Sequence, residues 1–293
     1  MKPSFYIYTF LLLIGCNSSS KPTTAQQIIE ALKDRDVPLA KPEPGEWLYE
    51  HPETGQSFED YIKINPVTST EAQNKIYLQP LGDFTKAQLG VIKYTSNYLN
   101  IFFDREVITL PKLDDSIVPD SLKRFRGTEQ EQLLTTPILD YLQKHIPKDG
   151  LIIMAITSKD LYPGGGFNFV FGQARTKKRV GVSSIYRYSN DLYDSIHYRQ
   201  CLERLIKTSS HEMCHMLSFE HCKFAVCVMN GSNSLAESDS RPNRLCSECL
   251  RKLQWNLKFD IKSRLNKMLT YFSMHEIEKD CELSRTDLRE LDE

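Results

Sequence analysis

The segment from His211 to Cys249 constrains this chain more than any other feature, because it concentrates side chains that bind metals. It holds three histidines and two closely spaced pairs of cysteines. A fold that gathers such ligands is stabilised by metal coordination as well as by a hydrophobic core. Three arrangements are open at this point: one metal site with spare ligands, two separate sites, or a cluster that only stabilises the fold.

The first part of this segment fits the pattern H-E-x-x-H, with His211 and His215 as the two histidines. On a helix, residues four apart lie on one face, so both imidazoles can bind one zinc ion. Glu212 then lies beside the metal without binding it, where it can take a proton from water. His221 completes the usual three protein ligands if the helix ends near Leu217 and the chain turns back. The alternative is a charged surface helix that binds no metal.

The cysteine pairs indicate a second site. Four residues separate Cys222 from Cys227, and Cys246 and Cys249 form a C-x-x-C pair. Two such pairs joined by a loop are typical of a structural zinc site, in which the protein supplies all four ligands and no position is open for chemistry. His221 and Cys222 are neighbours, and adjacent side chains on an extended backbone point to opposite sides. We therefore predict two zinc sites, one catalytic and one structural, that meet at this pair of residues.

This order of ligands resembles that of the archaemetzincins, a family of zinc metallopeptidases in the metzincin clan. The matching elements are the H-E-x-x-H helix, the dipeptide His221-Cys222, the run Cys227-Val228-Met229 and the closing pair Cys246 and Cys249. Two upstream runs are also similar, Tyr77–Gly82 and Asn168–Ala174. The resemblance covers about residues 75–258, and its four-cysteine part is the most specific.

The resemblance implies a metzincin-like mixed β-sheet with a long active-site helix, a small four-cysteine zinc subdomain and C-terminal helices. It implies two zinc ions per chain, one catalytic and one structural, and it makes Met229 the Met-turn residue beneath the catalytic zinc. Metzincins usually have a glycine three residues after the second histidine, where this chain has Ser218. A serine adopts the left-handed conformation at some cost, and otherwise the helix must end differently.

Helical and strand patterns alternate along the chain, which predicts an α/β (α+β) fold. The apolar run Leu151–Ile156 predicts a buried strand, and a long helix is predicted from about Ser195 to Leu217. Two further β-rich runs are Phe167–Gln173 and Arg179–Tyr188. The charged C-terminal end is expected to fray.

These patterns divide the chain into four segments. Residues 1–16 are predicted to be a lipoprotein-type signal peptide, and residues 17–74 a tether and irregular N-terminal extension with one short helix at Gln26–Lys33. Residues 75–258 form the predicted zinc metallopeptidase domain, and residues 259–293 a C-terminal helical tail.

The N-terminal end predicts export. An apolar run from Phe5 to Ile14 follows Lys2, and it is right for a signal peptide but too short for a membrane-spanning helix. It leads into Leu-Ile-Gly-Cys, which resembles the lipobox of bacterial lipoproteins, whose cysteine carries the lipid. We therefore expect membrane anchoring through Cys16 on the periplasmic or cell-surface side. The alternatives are an ordinary cleaved signal and a cytoplasmic enzyme.

The count of cysteines does not favour a disulfide framework. Of the eight cysteines, one is assigned to lipid and four to zinc, which leaves Cys201, Cys214 and Cys281. An odd remainder is not the pattern of a disulfide-stapled chain.

Charge and ligand chemistry together limit the function. The formal net charge of −1, with no block of basic residues, argues against a nucleic-acid partner. The expected partner is a peptide or protein substrate, hydrolysed with Glu212 as general base and acid, and the resemblance extends this to aminopeptidase-like cleavage. A monomer is expected. The alternative is a non-catalytic, zinc-scaffolded, membrane-anchored module that binds another protein, although a purely structural site has no use for Glu212.

Overall fold

The computed structural model describes residues 24–126, 130–188 and 194–291. Its helices are α1 (Ala25–Lys33), α2 (Trp47–Glu50), α3 (Phe58–Lys63), α4 (Lys86–Phe103), α5 (Thr135–His145), α6 (Ser195–Met216), α7 (Leu235–Ser240), α8 (Ser247–Leu257), α9 (Ile261–Met274) and α10 (Glu278–Glu290). Its strands are β1 (Lys75–Leu81), β2 (Val107–Thr109), β3 (Lys123–Arg126), β4 (Gln130–Leu134), β5 (Gly150–Thr157), β6 (Asp160–Tyr162), β7 (Gly172–Arg175) and β8 (Val180–Ser184).

A five-stranded mixed sheet with the order β2-β1-β5-β8-β7 organises the fold. The first four strands run parallel, and β7 pairs antiparallel with β8 at the edge of the sheet. All eight residues of β5 are buried, as expected for a central strand covered on both faces. A smaller sheet has the order β3-β4-β6. The predicted mixed α/β architecture is therefore confirmed.

Alternation along β5 divides the hydrophobic core into two layers. Ile152 and Met154 face the larger layer, which contains α4 and α6, whereas Ile153 and Ala155 face the smaller layer, which contains α5. The predicted long helix is confirmed as α6, which packs against β7, β8 and α4. This packing fixes the helix beside the edge of the sheet.

Two local predictions are wrong. The run Phe167–Gln173 is not a strand along its length, since β7 begins at Gly172 and only Val170 makes an isolated bridge before it. The C-terminal end does not fray within the described residues, because α10 packs on α9 and buries Asp287 and Leu288. The carboxylate of Asp287 accepts two hydrogen bonds from Arg244, which offsets the cost of burying its charge.

The N-terminal extension contains ordered helices that contact the core. The short helix predicted at Gln26–Lys33 is present as α1, and its Ile28 and Leu32 are buried in the larger core layer. A capping box at Thr24 begins the helix. None of the described helices is both long and apolar enough to cross a membrane. Cys16 and the predicted signal peptide lie outside the described residues, so anchoring stays a prediction.

Candidate active site and second metal centre

The structure brings together the three histidines of the predicted catalytic site. His211 and His215 lie one turn apart on α6, and their Nε2 atoms are 3.0 Å apart. His221 comes from the loop after the helix, and one ligand atom of each ring lies within 4.8 Å of the others. The three rings therefore converge on one point from a helix and a loop.

Hydrogen bonds orient each ring through its Nδ1 atom. The Nδ1 of His211 bonds to the carbonyl of Val228 at 2.8 Å, and that of His215 to the carbonyl of Phe219 at 2.7 Å. A carbonyl oxygen only accepts, so each Nδ1 carries the proton and each Nε2 is free to bind a metal. Burial and the neighbouring histidines lower the pKa of His211 well below its ordinary value, and burial together with His221 lowers that of His215 to about 4. The two rings are therefore neutral, which is the form that ligates a metal.

The spacing of the nitrogens fits zinc. Zn–N bonds of about 2.0–2.1 Å in a tetrahedron place ligand atoms about 3.3 Å apart, close to the 3.0 Å between the Nε2 atoms of His211 and His215. Three imidazoles leave the fourth position open, which is the arrangement of catalytic rather than structural zinc.

Ser218 makes the turn that brings His221 back toward the helix. It has a φ of 74°, so this serine does adopt the left-handed conformation in which metzincins usually have glycine. Its N–H donates to the carbonyl of His215 at 2.9 Å, and the N–H of Phe219 donates to the carbonyl of Cys214 at 3.0 Å. These two bonds form a Schellman motif, the usual way for a helix to end on a left-handed residue.

Glu212 lies beside the histidines, but its side chain is buried against strand β7. Its side chain is only 9% exposed and packs against Gly172 of β7, where a Cβ atom would come within 2.8 Å of the Glu212 Cγ. Burial raises the pKa of its carboxyl to about 8, and a hydrogen bond from the Ala174 N–H opposes this rise. A carboxyl with a raised pKa can both accept and return a proton near neutral pH.

A cleft of about 750 Å³ opens over these groups. Its walls are β7 with the loop that precedes it, the histidine face of α6, and the chain that follows Met229. Its size is within the usual range of ligand sites. Gly164 and Gly165 line the rim, and both have positive φ angles, which a glycine adopts at little steric cost.

The four predicted cysteines form a separate, fully buried cluster. The Sγ atoms of Cys222, Cys227, Cys246 and Cys249 all lie within 4.8 Å of one another, and none of them forms a disulfide. The Sγ atoms of Cys222 and Cys246 are 3.5 Å apart, close to the roughly 3.8 Å expected between sulfurs on a tetrahedral zinc with Zn–S bonds of about 2.3 Å. The cluster therefore fits zinc.

Hydrogen bonds from backbone N–H groups favour the thiolate form of these cysteines. The Sγ of Cys227 accepts N–H bonds from Met229 at 3.4 Å and from Cys246 at 3.3 Å. Hydrogen bonds from the other three thiols lower the pKa of Cys222, which favours a first thiolate. The side-chain amide of Asn230 donates to the carbonyls of Cys222 and Ala225, and its oxygen accepts from the Cys227 N–H. A buried group of thiolates needs a cation to balance it.

The two clusters meet at His221 and Cys222, as the sequence predicts. The side chain of His221 belongs to the histidine cluster and that of Cys222 to the cysteine cluster. The backbone N–H of Cys222 donates to the carbonyl of Met229 at 2.8 Å, which ties this junction to the turn that follows Cys227. Met229 itself is fully buried.

Sequence reasoning missed two residues of this site, Trp47 and Glu53. The Glu53 carboxylate accepts from the Nδ1 of His221 at 2.8 Å and from the Nε1 of Trp47 at 2.9 Å. Burial raises the pKa of Glu53, but the hydrogen bonds from His221 and Trp47 lower it more, so the carboxyl is ionised. Both residues lie in the segment assigned to irregular structure, where only contacts across the fold reveal their place.

In the described part of the chain, three cysteines lie outside the cluster, and all three are buried and form no disulfide. Cys201 and Cys214 lie on α6 and pack in the larger core layer, as does Cys281 of α10. Burial raises the pKa of both helix α6 thiols, to about 12 for Cys201 and further for Cys214, so neither ionises at neutral pH.

Comparison with known proteins identifies the family. The sequence pattern described as peptidase family M54 matches residues 132–255. Human archaemetzincin-2 is 32% identical over 267 residues, which cover 80% of this chain and 74% of that protein. Human archaemetzincin-1 is 27% identical over 262 residues, covering 77% of this chain and 52% of that protein.

A solved structure is similar as well. The crystal structure of archaemetzincin from Methanopyrus kandleri superposes with a TM-score of 0.51 at 29% identity, covering 64% of this chain and 98% of that chain. The fold, the two ligand clusters and the shared sequence agree. The chain belongs to the archaemetzincins, the zinc metallopeptidases of peptidase family M54.

Proposed function

We propose that the chain hydrolyses peptide bonds at a zinc ion held by His211, His215 and His221, with Glu212 as general base and acid. The observation that carries this proposal is the convergence of three imidazoles beside a buried carboxyl, all facing one open cleft. A non-catalytic binding module has no use for a buried carboxyl in that position.

Each group has a defined part in the reaction. Zinc, when bound, supplies a Lewis acid that polarises the scissile carbonyl and lowers the pKa of a water molecule. Glu212 accepts a proton from the attacking water and returns a proton to the leaving amine. The packing of its side chain against Gly172 holds the carboxyl on the β7 side of the cleft.

The position of β7 suggests how a peptide binds. The strand lies at the edge of the sheet, pairs with β8 alone among the described strands, and lines the cleft beside Glu212. An extended peptide can add to such an edge through main-chain hydrogen bonds, which places a peptide bond beside the catalytic groups whatever its side chains. We propose that substrates bind in this way, including the aminopeptidase-like mode that the resemblance implies.

We propose that a second zinc ion, bound by the four cysteines, has a structural role. Four protein ligands close the coordination sphere, so this ion takes no part in the chemistry. Its ligand Cys222 directly follows His221 in the chain. The ion therefore stabilises the loop that supplies the third catalytic ligand. This gives two zinc ions per chain.

Metal removal tests the catalytic proposal. We expect the purified full chain to cleave a mixture of short unblocked and N-acetylated peptides, and to lose at least about 100-fold of this activity when a chelator removes the zinc. Adding zinc back should restore it. Mass spectrometry of the products separates cleavage at the N-terminal bond from internal cleavage. Hydrolysis that persists in metal-free protein would contradict the proposal.

We propose that the protein is attached to the membrane through lipid on Cys16. Support comes from the Leu-Ile-Gly-Cys run after the apolar N-terminal stretch, and stable anchoring requires two or more acyl chains. Radiolabelled palmitate should label the full chain, and the Cys16→Ser substitution should abolish the label. A soluble, unlabelled wild-type chain in its native host would instead support a cytoplasmic enzyme.

A further inference from the structure

The third histidine differs from the other two in what holds its ring. The rings of His211 and His215 are oriented by backbone carbonyls, whereas the Nδ1 of His221 bonds to a carboxylate, that of Glu53, at 2.8 Å. Glu53 lies 168 residues away in the chain, in the segment before the main sheet. The carboxylate is itself fixed by the Trp47 indole N–H at 2.9 Å.

We propose that Glu53 is a positioning residue for the catalytic site, which holds His221 in the tautomer and orientation that bind zinc. A carboxylate bonded to Nδ1 keeps the proton on that nitrogen, leaves Nε2 free for the metal and makes the imidazole a stronger ligand. This inference rests on the proposed zinc site, since it concerns how one of its ligands is held.

His221 needs such support more than its two partners do. His211 and His215 are fixed by α6, but His221 follows the left-handed turn at Ser218. That turn is also held from the N-terminal extension: the Gln56 side chain donates to the Ser218 carbonyl at 3.1 Å, and the Val67 N–H donates to the Ser218 hydroxyl at 3.2 Å. The extension therefore secures both the turn and the ligand that follows it.

Trp47 fixes Glu53 and closes one side of the site. Its ring stands edge-on to His221 with centroids 5.1 Å apart, and it covers Gly231 so closely that a Cβ atom there would lie 2.2 Å from the ring. Its backbone N–H donates to the Glu237 carboxylate at 3.0 Å. Trp47 also lines the cleft, so a residue from the extension forms part of the surface that a peptide contacts.

Zinc affinity tests this role without relying on activity. The zinc-loaded full chain is dialysed against a series of zinc buffers of decreasing free zinc, and bound zinc per chain is measured. The His211→Ala chain supplies the curve of a protein that lacks the histidine site. We expect Glu53→Ala to weaken zinc binding at the histidine site by about 10–100-fold. Glu53→Gln should lie between wild type and Glu53→Ala, because its amide oxygen still accepts both hydrogen bonds without the charge.

Glu59→Ala is the matched control. Glu59 is a carboxylate of the same extension, but it pairs with Arg251 on the surface, so its loss should leave the zinc curve unchanged. Trp47→Phe keeps the ring and removes the donor to Glu53, and it should weaken zinc binding by a smaller factor. Circular dichroism confirms that each variant is folded at the temperature of dialysis.

The outcomes separate the two hypotheses. Wild-type binding that matches the His211→Ala curve would overturn the proposed catalytic zinc site itself. Wild-type binding above that curve, with Glu53→Ala and Glu53→Gln both equal to wild type, would overturn only the role of Glu53. If Glu53→Ala does not fold, the comparison of Glu53→Gln and Trp47→Phe with wild type decides in the same way.

Discussion

Replacing Glu212 with glutamine is expected to lower kcat for peptide hydrolysis by about 10²–10⁴-fold while zinc binding is unchanged. Glutamine keeps the size and hydrogen-bonding reach of the side chain but cannot accept a proton from water. Glu212 is the only carboxylate among the described residues that line the cleft, so no neighbouring group can take over its part. The measurement is kcat at equal zinc content for both proteins.

A second substitution tests the position of this carboxyl rather than its presence. Alanine at Gly172 would push on the Cγ of Glu212, and we expect it to lower kcat without removing zinc. Gly181→Ala is the matched control on the adjacent strand, since it presses instead on the flexible end of Met216.

For the Glu212→Gln substitution, a kcat equal to that of wild type at equal zinc content would show that another group moves the proton.

Local spacing was enough to locate the two ligand clusters. Positions four apart on a helix share a face whatever surrounds them, so His211 and His215 could be paired from sequence. The two cysteine pairs are similarly constrained, because residues so near each other in the chain can easily bind the same metal ion. The alternation of side chains on an extended backbone predicts that His221 and Cys222 point to different clusters, as they do. These inferences depend on geometry within a few residues.

Contacts between distant parts of the chain could not be predicted in this way. Nothing in the composition around Glu53 distinguishes it from a surface glutamate, and its partner His221 lies 168 residues later. The close approach of Gly172 to Glu212 likewise depends on how α6 packs on the edge of the sheet. The same limit explains the error at the C-terminal end. Charge suggested fraying, but the hydrogen bonds between Arg244 and Asp287 hold α10 in place.

At Ser218 the sequence alone does not determine the backbone conformation. The departure from glycine left open whether the helix ends in the left-handed turn. The structure gives the turn, with a φ of 74°, and adds a bond to the serine hydroxyl that a glycine could not accept. The conformational cost of a non-glycine residue there, about 1–2 kcal/mol, is offset by a hydrogen bond of about 1 kcal/mol.

Replacing Cys249 with serine is expected to remove the zinc ion that we propose for the cysteine cluster and to destabilise the fold severely. Serine is a poor ligand for zinc beside three thiolates, and the remaining cysteines would stay buried without a balancing cation. Structural zinc in small cysteine sites contributes about 10–16 kcal/mol to folding. A whole domain is typically stable by only about 5–15 kcal/mol. We therefore expect a thermal unfolding transition far below that of wild type, measured by circular dichroism alongside zinc content.

Cys281→Ser is the control that separates metal binding from the burial of a hydroxyl. Cys281 is also buried, but it lies outside the cluster, so its replacement should cost only about 1–3 kcal/mol and leave the zinc content unchanged. Because Cys222 adjoins His221, loss of the structural ion should also free the loop that carries the third catalytic ligand. Cys249→Ser should then lose histidine-site zinc at free zinc concentrations where Cys281→Ser retains it. Wild-type stability together with an unchanged zinc content in Cys249→Ser would contradict the proposed role of Cys249 as a ligand of a structural zinc ion.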